Sequence, residues 1–288
     1  MDDQVTVIMP ALNEEAVIAK VIERVRAVND SWHILIVDDG STDRTAELAR
    51  AAGAEVVSHP YRKGNGAAVK SGIRAAKTEY VVLLDSDGQH PPERIPDLLE
   101  AAKTHELVVA ARTGNKGALH RNLANSLYNR LASYVAAFPI PDLTSGFRVF
   151  HRATVLRFLY LFPNSFSYPT TSTLSMLRAG HSVKFIPVEF APRVGKSKIS
   201  LLSDGVRFLL IIFRITMMFS PLRIFFPLFL GTFAIGATYL GVSLARTSTF
   251  PPAALFILFS SVLLFAMGLL SEQIAQLRLA YTEVRDDE

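Results

Sequence analysis

Short apolar runs that end abruptly in polar or acidic residues are the feature that most constrains the fold of this chain. Three such runs are Val5–Met9, Ile34–Val37 and Tyr80–Leu84. They lead into Pro10-Ala11-Leu12-Asn13-Glu14-Glu15, Asp38-Asp39-Gly40-Ser41-Thr42-Asp43 and Asp85-Ser86-Asp87, respectively. A continuous apolar run of this length is typical of a strand that is buried on both faces. We therefore interpret the runs as buried strands and the polar segments as the loops that follow them.

Helical patterns alternate with these strands. Residues 14–28 carry apolar side chains at helical spacing, with acidic residues in the predicted first turn. Ser41-Thr42-Asp43 is expected to cap a second helix through Arg50, and Pro91-Pro92 to begin a later one. The remaining predicted elements are a strand at 54–57, a helix at 67–76 and a strand at 107–111. This alternation predicts an α/β fold with a mostly parallel sheet, whose ligand crevice lies beyond the carboxyl ends of the strands.

The triplet Asp85-Ser86-Asp87 is the strongest candidate for chemistry. Two carboxylates one residue apart at a strand end suit Mg²⁺ or Mn²⁺, which prefer hard oxygen ligands. An ion held there would carry a diphosphate. The alternative is a turn or a helix cap, because Asp is common in both.

The segment Lys63-Gly64-Asn65-Gly66 is a second candidate. Glycines that expose backbone amides before a helix can hold phosphate, and Lys63 would add positive charge. The segment is neither a Walker loop nor a dinucleotide fingerprint, since Ala67 follows the second glycine and a third glycine is lacking. The alternative is a flexible connection between a strand and a helix.

Composition excludes several classes of chemistry. The 288 residues include no cysteine, so disulfides, thiolate nucleophiles and cysteine-bound zinc are excluded. The seven histidines are dispersed without a metal-ligand pair, and only His90 is expected to lie in the crevice. A net charge of +4 with scattered arginines gives little support to nucleic-acid binding, and favours phosphate or anionic lipid as the partner.

The last third of the chain is predicted to be membrane-associated. Leu222–Ala245 and Pro252–Ser271 are each about 20 largely uncharged residues, the length that a bilayer core requires. Residues 201–220 form an apolar segment with Arg207 and Arg214, which we interpret as an amphipathic helix in the membrane interface. The arginines that flank the two spans predict that both termini lie in the cytoplasm. The soluble head is expected there as well, because the N-terminal residues lack the pattern of a signal peptide. Gly231, Gly236 and Gly241 are candidates for close helix packing or contacts between subunits in a homo-oligomer.

Five motifs follow one another along the head: Pro10-Ala11-Leu12-Asn13-Glu14, Val37–Asp43, Lys63–Gly66, Asp85–His90 and Ser145-Gly146-Phe147-Arg148. In this order they make the head resemble inverting family-two glycosyltransferases. Within that group the chain most resembles dolichyl-phosphate mannose synthases and bacterial polyprenyl-phosphate glycosyltransferases. The resemblance runs from the first strand to about residue 200 and implies a GT-A fold for a domain at 1–200, followed by the interfacial helix and a two-helix anchor at 221–288.

The resemblance also implies roles for individual residues of the donor site. Asp38 or Asp39 would hold the base or ribose of the nucleotide, and Asp85, Asp87 and Gln89 would form the metal and diphosphate site. The other residues implied in nucleotide binding are Pro10, Ala11, Asn13, Glu14, Lys63, Gly64 and Ser86.

A second set of residues is implied at the acceptor phosphate. Arg112 and Arg148 would bind phosphate oxygens, and the alternative for each is a surface or ion-paired arginine. Asp142 would act near the acceptor, either as a base or by orienting Arg148 or a sugar hydroxyl. The remaining members of the set are Arg121, Asn125, Lys196 and Lys198. Arg121 and Asn125 otherwise solvate a helix, and the two lysines otherwise meet anionic headgroups.

The expected function is therefore transfer of a sugar from a UDP- or GDP-linked donor to polyprenyl phosphate, with inversion and with Mg²⁺ or Mn²⁺. One alternative is a processive polysaccharide synthase, but the single tryptophan, Trp32, lies outside any segment typical of that group. A second alternative is a catalytically silent nucleotide-binding scaffold in the membrane. A transporter is disfavoured, because two spans without internal charge offer no path.

Overall fold

The computed structural model describes residues 4–113, 119–164, 167–191, 213–214, 216–247 and 249–283. The chain divides into two compact units, Met1–Ser200 and Leu201–Glu288.

A seven-stranded sheet forms the centre of the first unit. Its strand order is β3-β2-β1-β4-β6-β5-β7. All neighbouring pairs are parallel except the two that involve β6, which runs antiparallel to β4 and β5. The strands are β1 Val5–Ala11, β2 His33–Asp38, β3 Glu55–Ser58, β4 Tyr80–Leu83, β5 Leu107–Thr113, β6 Arg148–His151 and β7 Val183–Glu189. The mostly parallel α/β architecture predicted from the sequence is confirmed.

Helices cover both faces of this sheet. They are α1 Ile18–Val28, α2 Thr45–Ala51, α3 Asn65–Ala75, α4 Ile95–Ala102, α5 Leu119–Ala136, α6 Arg152–Phe158 and α7 Tyr168–Arg178. The predicted start of α1 was wrong by one turn: the helix begins at Ile18, so Glu14 and Glu15 belong to the preceding loop and its first turn holds no acid. Pro92–Arg94 form a 3₁₀ turn that leads into α4 at Ile95, one turn later than predicted.

Alternation along β1 divides the core between the two faces of the sheet. Val7 and Met9 are fully buried in one apolar cluster with residues of α1 and α4. Ile8 points the other way and is buried in a second cluster with residues of α3 and α6. Full burial of such a side chain contributes about 1.5–3 kcal/mol, so the two-sided burial of the central strands fixes their register.

The length difference between β1 and β4 opens the edge of the sheet where the site lies. The ladder between β1 and β4 ends at Ile8 paired with Leu83, whereas the ladder between β1 and β2 continues to Ala11 paired with Asp38. Pro10 follows this end on the side of β1 that faces β4, and its carbonyl accepts a hydrogen bond from the Ser86 hydroxyl at 2.9 Å. A proline is tolerated there because no ladder hydrogen bond needs its missing N–H.

The second unit contains two long apolar helices, α8 Leu222–Thr247 and α9 Pro252–Glu283. Leu222–Thr247 and Pro252–Arg278 are both long and apolar enough to cross a membrane. The predicted spans are thus found as helices, although α9 continues beyond Ser271. Glu272 on α9 accepts a hydrogen bond from the backbone N–H of Leu222 at 3.1 Å, so its carboxylate binds the N-terminus of α8.

Glycines hold the two helices close together at two points. A side chain at Gly236 would come within 3.0 Å of Ile257 and Leu258, and one at Gly268 within 2.6 Å of Phe225. Gly231 and Gly241, by contrast, have open space where a Cβ would be. Packing within the hairpin thus uses one of the three predicted glycines. The predicted interfacial helix lies mostly outside the described residues and stays a prediction.

Candidate functional site

A cleft of about 320 Å³ lies at the carboxyl ends of β1 to β4. This is the edge of the sheet at which the sequence predicts a crevice. Predicted site residues that line the cleft are Pro10, Ala11, Glu14, Asp39, Asp85, Ser86 and Asp87. Four further lining residues, Leu12, Arg62, Asn65 and Ala68, were not predicted as site residues.

The two carboxylates of the acidic loop differ in how they are held. Asp87 is braced within its own loop, because Oδ2 accepts from Gln89 Nε2 at 2.6 Å and Oδ1 accepts from the Gln89 backbone N–H at 3.1 Å. The Asp85 side chain is 37% exposed and, among the described residues, accepts no hydrogen bond. Of these two carboxylates, Asp85 is therefore the more available to a ligand.

His90 lies beneath this loop and is 4% exposed. Its Nδ1 accepts a hydrogen bond from the backbone N–H of Asp85 at 3.0 Å. Burial lowers the pKa of the ring, and this effect exceeds the opposing attraction of Asp85 and Asp87. His90 is therefore a neutral residue under the cleft and not one that lines it.

Asp39 organises the loop between β3 and α3. Its carboxylate accepts hydrogen bonds from the backbone N–H groups of Lys63 and Gly64, each at 2.8 Å, and from His59 Nδ1 at 2.8 Å. His59 in turn meets Ser71 Oγ at 2.9 Å through its other ring nitrogen. The expectation that the Gly64 amide is exposed to phosphate is wrong, because this amide donates to Asp39, as the amide of Lys63 also does.

The positive charge in the cleft comes from Arg62 rather than from Lys63. Arg62 lines the cleft, whereas the Lys63 ammonium lies over the Tyr61 ring, 5.7 Å from its centre. Gly40 allows this loop to approach, because a Cβ at that position would lie 2.8 Å from the backbone of both Tyr61 and Arg62. The φ of Gly40 is +77°, which also favours glycine.

Asn13 and Asp38 serve loop structure. Asn13 has a φ of 57°, and its Oδ1 accepts from the Thr42 backbone N–H at 2.9 Å while its own N–H donates to Ser41 Oγ. Asp38 is buried and accepts from the Ser41 N–H at 3.0 Å. Neither residue lines the cleft, so the predicted contact of Asn13 with the nucleotide and the alternative that Asp38 holds the base are not supported by the geometry.

Arg112, at the end of β5, forms a two-pronged ion pair with Asp142. Arg112 Nε lies 2.8 Å from Oδ2 and Nη2 lies 3.1 Å from Oδ1, and Nη2 also donates to Thr144. Burial opposes ionisation of both partners, but their hydrogen bonds and charges outweigh it, so the pKa of Asp142 is lowered and that of Arg112 is raised. Asp142 thus orients Arg112 and not Arg148. The Arg112 side chain remains 37% exposed.

Arg148 is fully buried, which contradicts its predicted role at the acceptor phosphate. Its guanidinium donates to the carbonyls of Ser145 and Pro169 and to the hydroxyls of Ser172 and Thr173. Burial lowers the pKa of Arg148 to about 10. The side chain joins β6 to the first turns of α7, so Arg148 holds the wall of the domain and does not face a ligand.

Four predicted acceptor residues are not described. The side chains of Arg121 and Asn125 on α5, and the whole of Lys196 and Lys198, lie outside the described residues. Their predicted roles stay predictions.

The acidic loop fits a divalent cation that is shared with a substrate. Among the described residues, no group of three or more acidic or histidine side chains gathers at one point. The loop instead offers the Asp85 and Asp87 carboxylates, with the Gln89 amide beside them. Mg²⁺ is commonly held by one or two carboxylates together with substrate phosphates, so this donor set fits such an ion.

Solved structures share the fold of the first unit. Glucosyl-3-phosphoglycerate synthase from Mycobacterium tuberculosis, in complex with Mn²⁺, UDP-glucose and phosphoglyceric acid, aligns with a TM-score of 0.58 at 25% identity, over 73% of this chain and 79% of that one. The same enzyme with phosphoglyceric acid alone aligns with a TM-score of 0.59 at 23% identity, over 74% and 79%. The fold is thus GT-A-like, with two apolar helices following it as candidate membrane spans.

Sequence comparison identifies the family. The model for glycosyl transferase family 2 matches residues 6–158, and that for the GtrB C-terminal hairpin matches residues 220–277. The undecaprenyl-phosphate 4-deoxy-4-formamido-L-arabinose transferase of Pseudomonas paraeruginosa is 31% identical over 98% of this chain and 87% of its own length. The transferase of that name from Pectobacterium carotovorum is 29% identical over 98% and 90%. This chain belongs to glycosyl transferase family 2.

Proposed function

We propose that this protein transfers a sugar from a UDP- or GDP-linked donor to polyprenyl phosphate, with inversion at the anomeric carbon. The observation that carries the proposal is the Asp85 carboxylate, which lines the cleft beside Asp87 and accepts no hydrogen bond among the described residues. The family, and the names of relatives that cover almost the whole chain, support the substrate class.

The donor is proposed to lie along the loops of β1 to β4. Asp85 and Asp87, two of the three predicted ligands, would hold Mg²⁺ or Mn²⁺. The amide N–H of Gln89, the third predicted ligand, donates to Asp87 and keeps that carboxylate in place. The ion, when bound, neutralises charge on the departing nucleoside diphosphate. Arg62 adds a second positive charge on the same cleft, which Pro10, Ala11 and Glu14 also line.

The acceptor supplies its own nucleophile. A phosphate oxygen of the lipid attacks the anomeric carbon as the bond from that carbon to the diphosphate breaks, and the nucleoside diphosphate leaves with the electron pair. Because a lipid phosphate is already ionised at neutral pH, no base needs to remove a proton. Arg112 suits the acceptor phosphate, since Asp142 fixes its guanidinium while more than a third of the side chain stays exposed. We expect Arg121, Asn125, Lys196 and Lys198 to assist.

The chain is proposed to work at the cytoplasmic face of a membrane. The GT-A domain at 1–200 would be joined through an interfacial helix at 201–220 to the two spans at 221–288, with both termini in the cytoplasm and a homo-oligomer as one form of assembly. Anchoring confines the enzyme to the membrane that holds its acceptor and reduces the entropy lost on encounter.

A panel of donors tests this proposal. Purified full-length protein is incubated with undecaprenyl phosphate, Mg²⁺ or Mn²⁺ and each of a series of UDP- and GDP-sugars, and both lipid-linked sugar and free nucleoside diphosphate are measured. We expect one donor to give both products in equal amounts. If folded protein reconstituted with lipid forms no product from any donor, the result would favour the alternative of a catalytically silent scaffold.

A further inference from the structure

His90 is held rigidly beneath the acidic loop by two aromatic rings. It stacks on Phe147, with ring centres 5.4 Å apart and planes inclined by 18°, and meets the edge of Phe190 at 4.8 Å. The ring is almost completely buried. Packing against these rings therefore fixes its orientation, independently of its contacts with the acidic loop.

Both nitrogens of this ring face Asp85. The backbone N–H of Asp85 donates to Nδ1 at 3.0 Å, so Nδ1 carries no proton and the neutral ring carries its proton on Nε2. Nε2 lies 3.4 Å from Asp85 Oδ2, an electrostatic contact longer than a usual hydrogen bond. One side chain thus restrains both the peptide and the carboxylate of Asp85.

Few other groups restrain Asp85. Its carboxylate accepts no hydrogen bond among the described residues. Its other surroundings include the backbone of Gly146 and the Tyr168 hydroxyl, since a Cβ at Gly146 would lie 3.2 Å from both carboxylate oxygens and 3.3 Å from that hydroxyl. Asp87, by contrast, is braced by the side chain and backbone of Gln89. The loop therefore braces each carboxylate with a different residue: Gln89 for Asp87 and His90 for Asp85.

We propose that His90 is a positioning residue that fixes the Asp85 carboxylate toward the bound cation. The proposal rests on the proposed function, since it takes Asp85 as a ligand of the ion. Groups that orient metal ligands from behind typically change metal affinity by about 10- to 100-fold when they are removed. His90 would thus act on the cation without touching it.

Three substitutions separate the contacts of His90. His90→Phe keeps the ring between Phe147 and Phe190 but removes both polar contacts. His90→Asn places an amide oxygen near the position of Nδ1, so it can still accept from the Asp85 N–H. His90→Gln places an amide N–H group near the position of Nε2, facing the carboxylate. His33→Phe is the control, because His33 is an exposed residue at the start of β2, whereas the cleft lies at the carboxyl end of that strand.

The measurement is the affinity of the full-length protein for Mn²⁺ in the presence of UDP or GDP, from the electron paramagnetic resonance signal of free Mn²⁺. We expect His90→Phe to weaken Mn²⁺ binding about 10- to 100-fold, His90→Asn or His90→Gln to recover part of the loss, and His33→Phe to bind as the native protein does. Thermal unfolding of each variant checks that the fold is kept. If His90→Phe does not fold, the comparison of His90→Asn and His90→Gln with the native protein decides in its place.

Two results would overturn the positioning role. One is native Mn²⁺ affinity in the folded His90 variants, and the other is absence of nucleotide-dependent Mn²⁺ binding by the native protein. Native protein that binds Mn²⁺ with a nucleotide, loses affinity on His90→Phe, and yet transfers no sugar to polyprenyl phosphate would contradict the proposed function while upholding the role of His90.

Discussion

Polar side chains are used differently in the cleft at β1 to β4 and in the wall built by β5, β6 and α7. In the cleft, Asp85 keeps a carboxylate that accepts no hydrogen bond among the described residues, and Arg62 is exposed. In the wall, Asp142 is ion-paired with Arg112, and Arg148 donates hydrogen bonds to carbonyl and hydroxyl groups. A motif identifies residue types that are able to bind a ligand. Packing decides which of those side chains remain accessible to it.

The two arginines of the wall differ in exposure because of their positions in the sheet. Arg112 lies near the end of β5, beyond the residues that pair with β6, where the ladder with β7 continues. Arg148 begins β6, but because β6 is antiparallel it pairs with Val109 and Leu83, inside the sheet. Equal chemistry thus gives one half-exposed cation and one buried cation.

The largest effect is expected from Arg148→Met. Removal of the guanidinium leaves several buried acceptors without a donor, so we expect a loss of about 3–5 kcal/mol in stability, seen as a lower thermal midpoint in detergent. Arg94→Met is the control, because Arg94 forms an exposed ion pair with Asp97. Native stability with lost transfer in the Arg148 variant would instead assign Arg148 to the substrate.

Asp87→Ala is expected to act on the reaction with little effect on folding. Loss of one carboxylate that stabilises developing charge should reduce turnover by about 10²- to 10³-fold, from initial rates of sugar transfer. Asp97→Ala is the matched control, since Asp97 lies on α4 away from the cleft. Near-normal, metal-dependent activity of the Asp87 variant would remove the acidic loop from the site.

Coupling between Arg112 and Asp142 is expected to be intermediate in size. If Asp142 acts only by orienting Arg112, then Asp142→Asn lowers kcat/KM in the native background but has no further effect on Arg112→Gln. The coupling energy from the double-mutant cycle should be about 1–3 kcal/mol. Additive losses would show that Asp142 acts on the reaction by itself, as a base would.

The smallest effect is expected from a methyl group at Gly40. Gly40 and Gly180 have similar φ values, +77° and +82°, but a Cβ meets backbone only at Gly40. Each Ala substitution carries about 1–2 kcal/mol of strain, and Gly40→Ala should in addition displace the Arg62 loop and raise KM for the donor. Equal KM values for the two variants would separate the position of this loop from donor binding.

The sequence predicts the sheet and the location of the cleft because both depend on local patterns. Apolar runs mark the buried strands, and acidic residues that follow them must lie at the carboxyl edge. The burial of Arg148 depends on the antiparallel register of β6, which no local pattern encodes. The amides of Lys63 and Gly64 are likewise lost to Asp39, a residue 24 and 25 positions away. Arg62 and His59 were not predicted, because no local pattern distinguishes them from other polar residues of the loop that precedes the glycine motif.

A comparison of acceptors tests the central proposal most directly. Folded native protein, the donor found in the panel and a divalent cation are combined with undecaprenyl phosphate, with undecaprenol lacking the phosphate, or with phosphoglyceric acid, and sugar transfer is measured in each. We expect transfer to undecaprenyl phosphate alone, in step with release of nucleoside diphosphate. Transfer to phosphoglyceric acid or undecaprenol at a comparable rate would contradict the proposal that a lipid phosphate is the nucleophile.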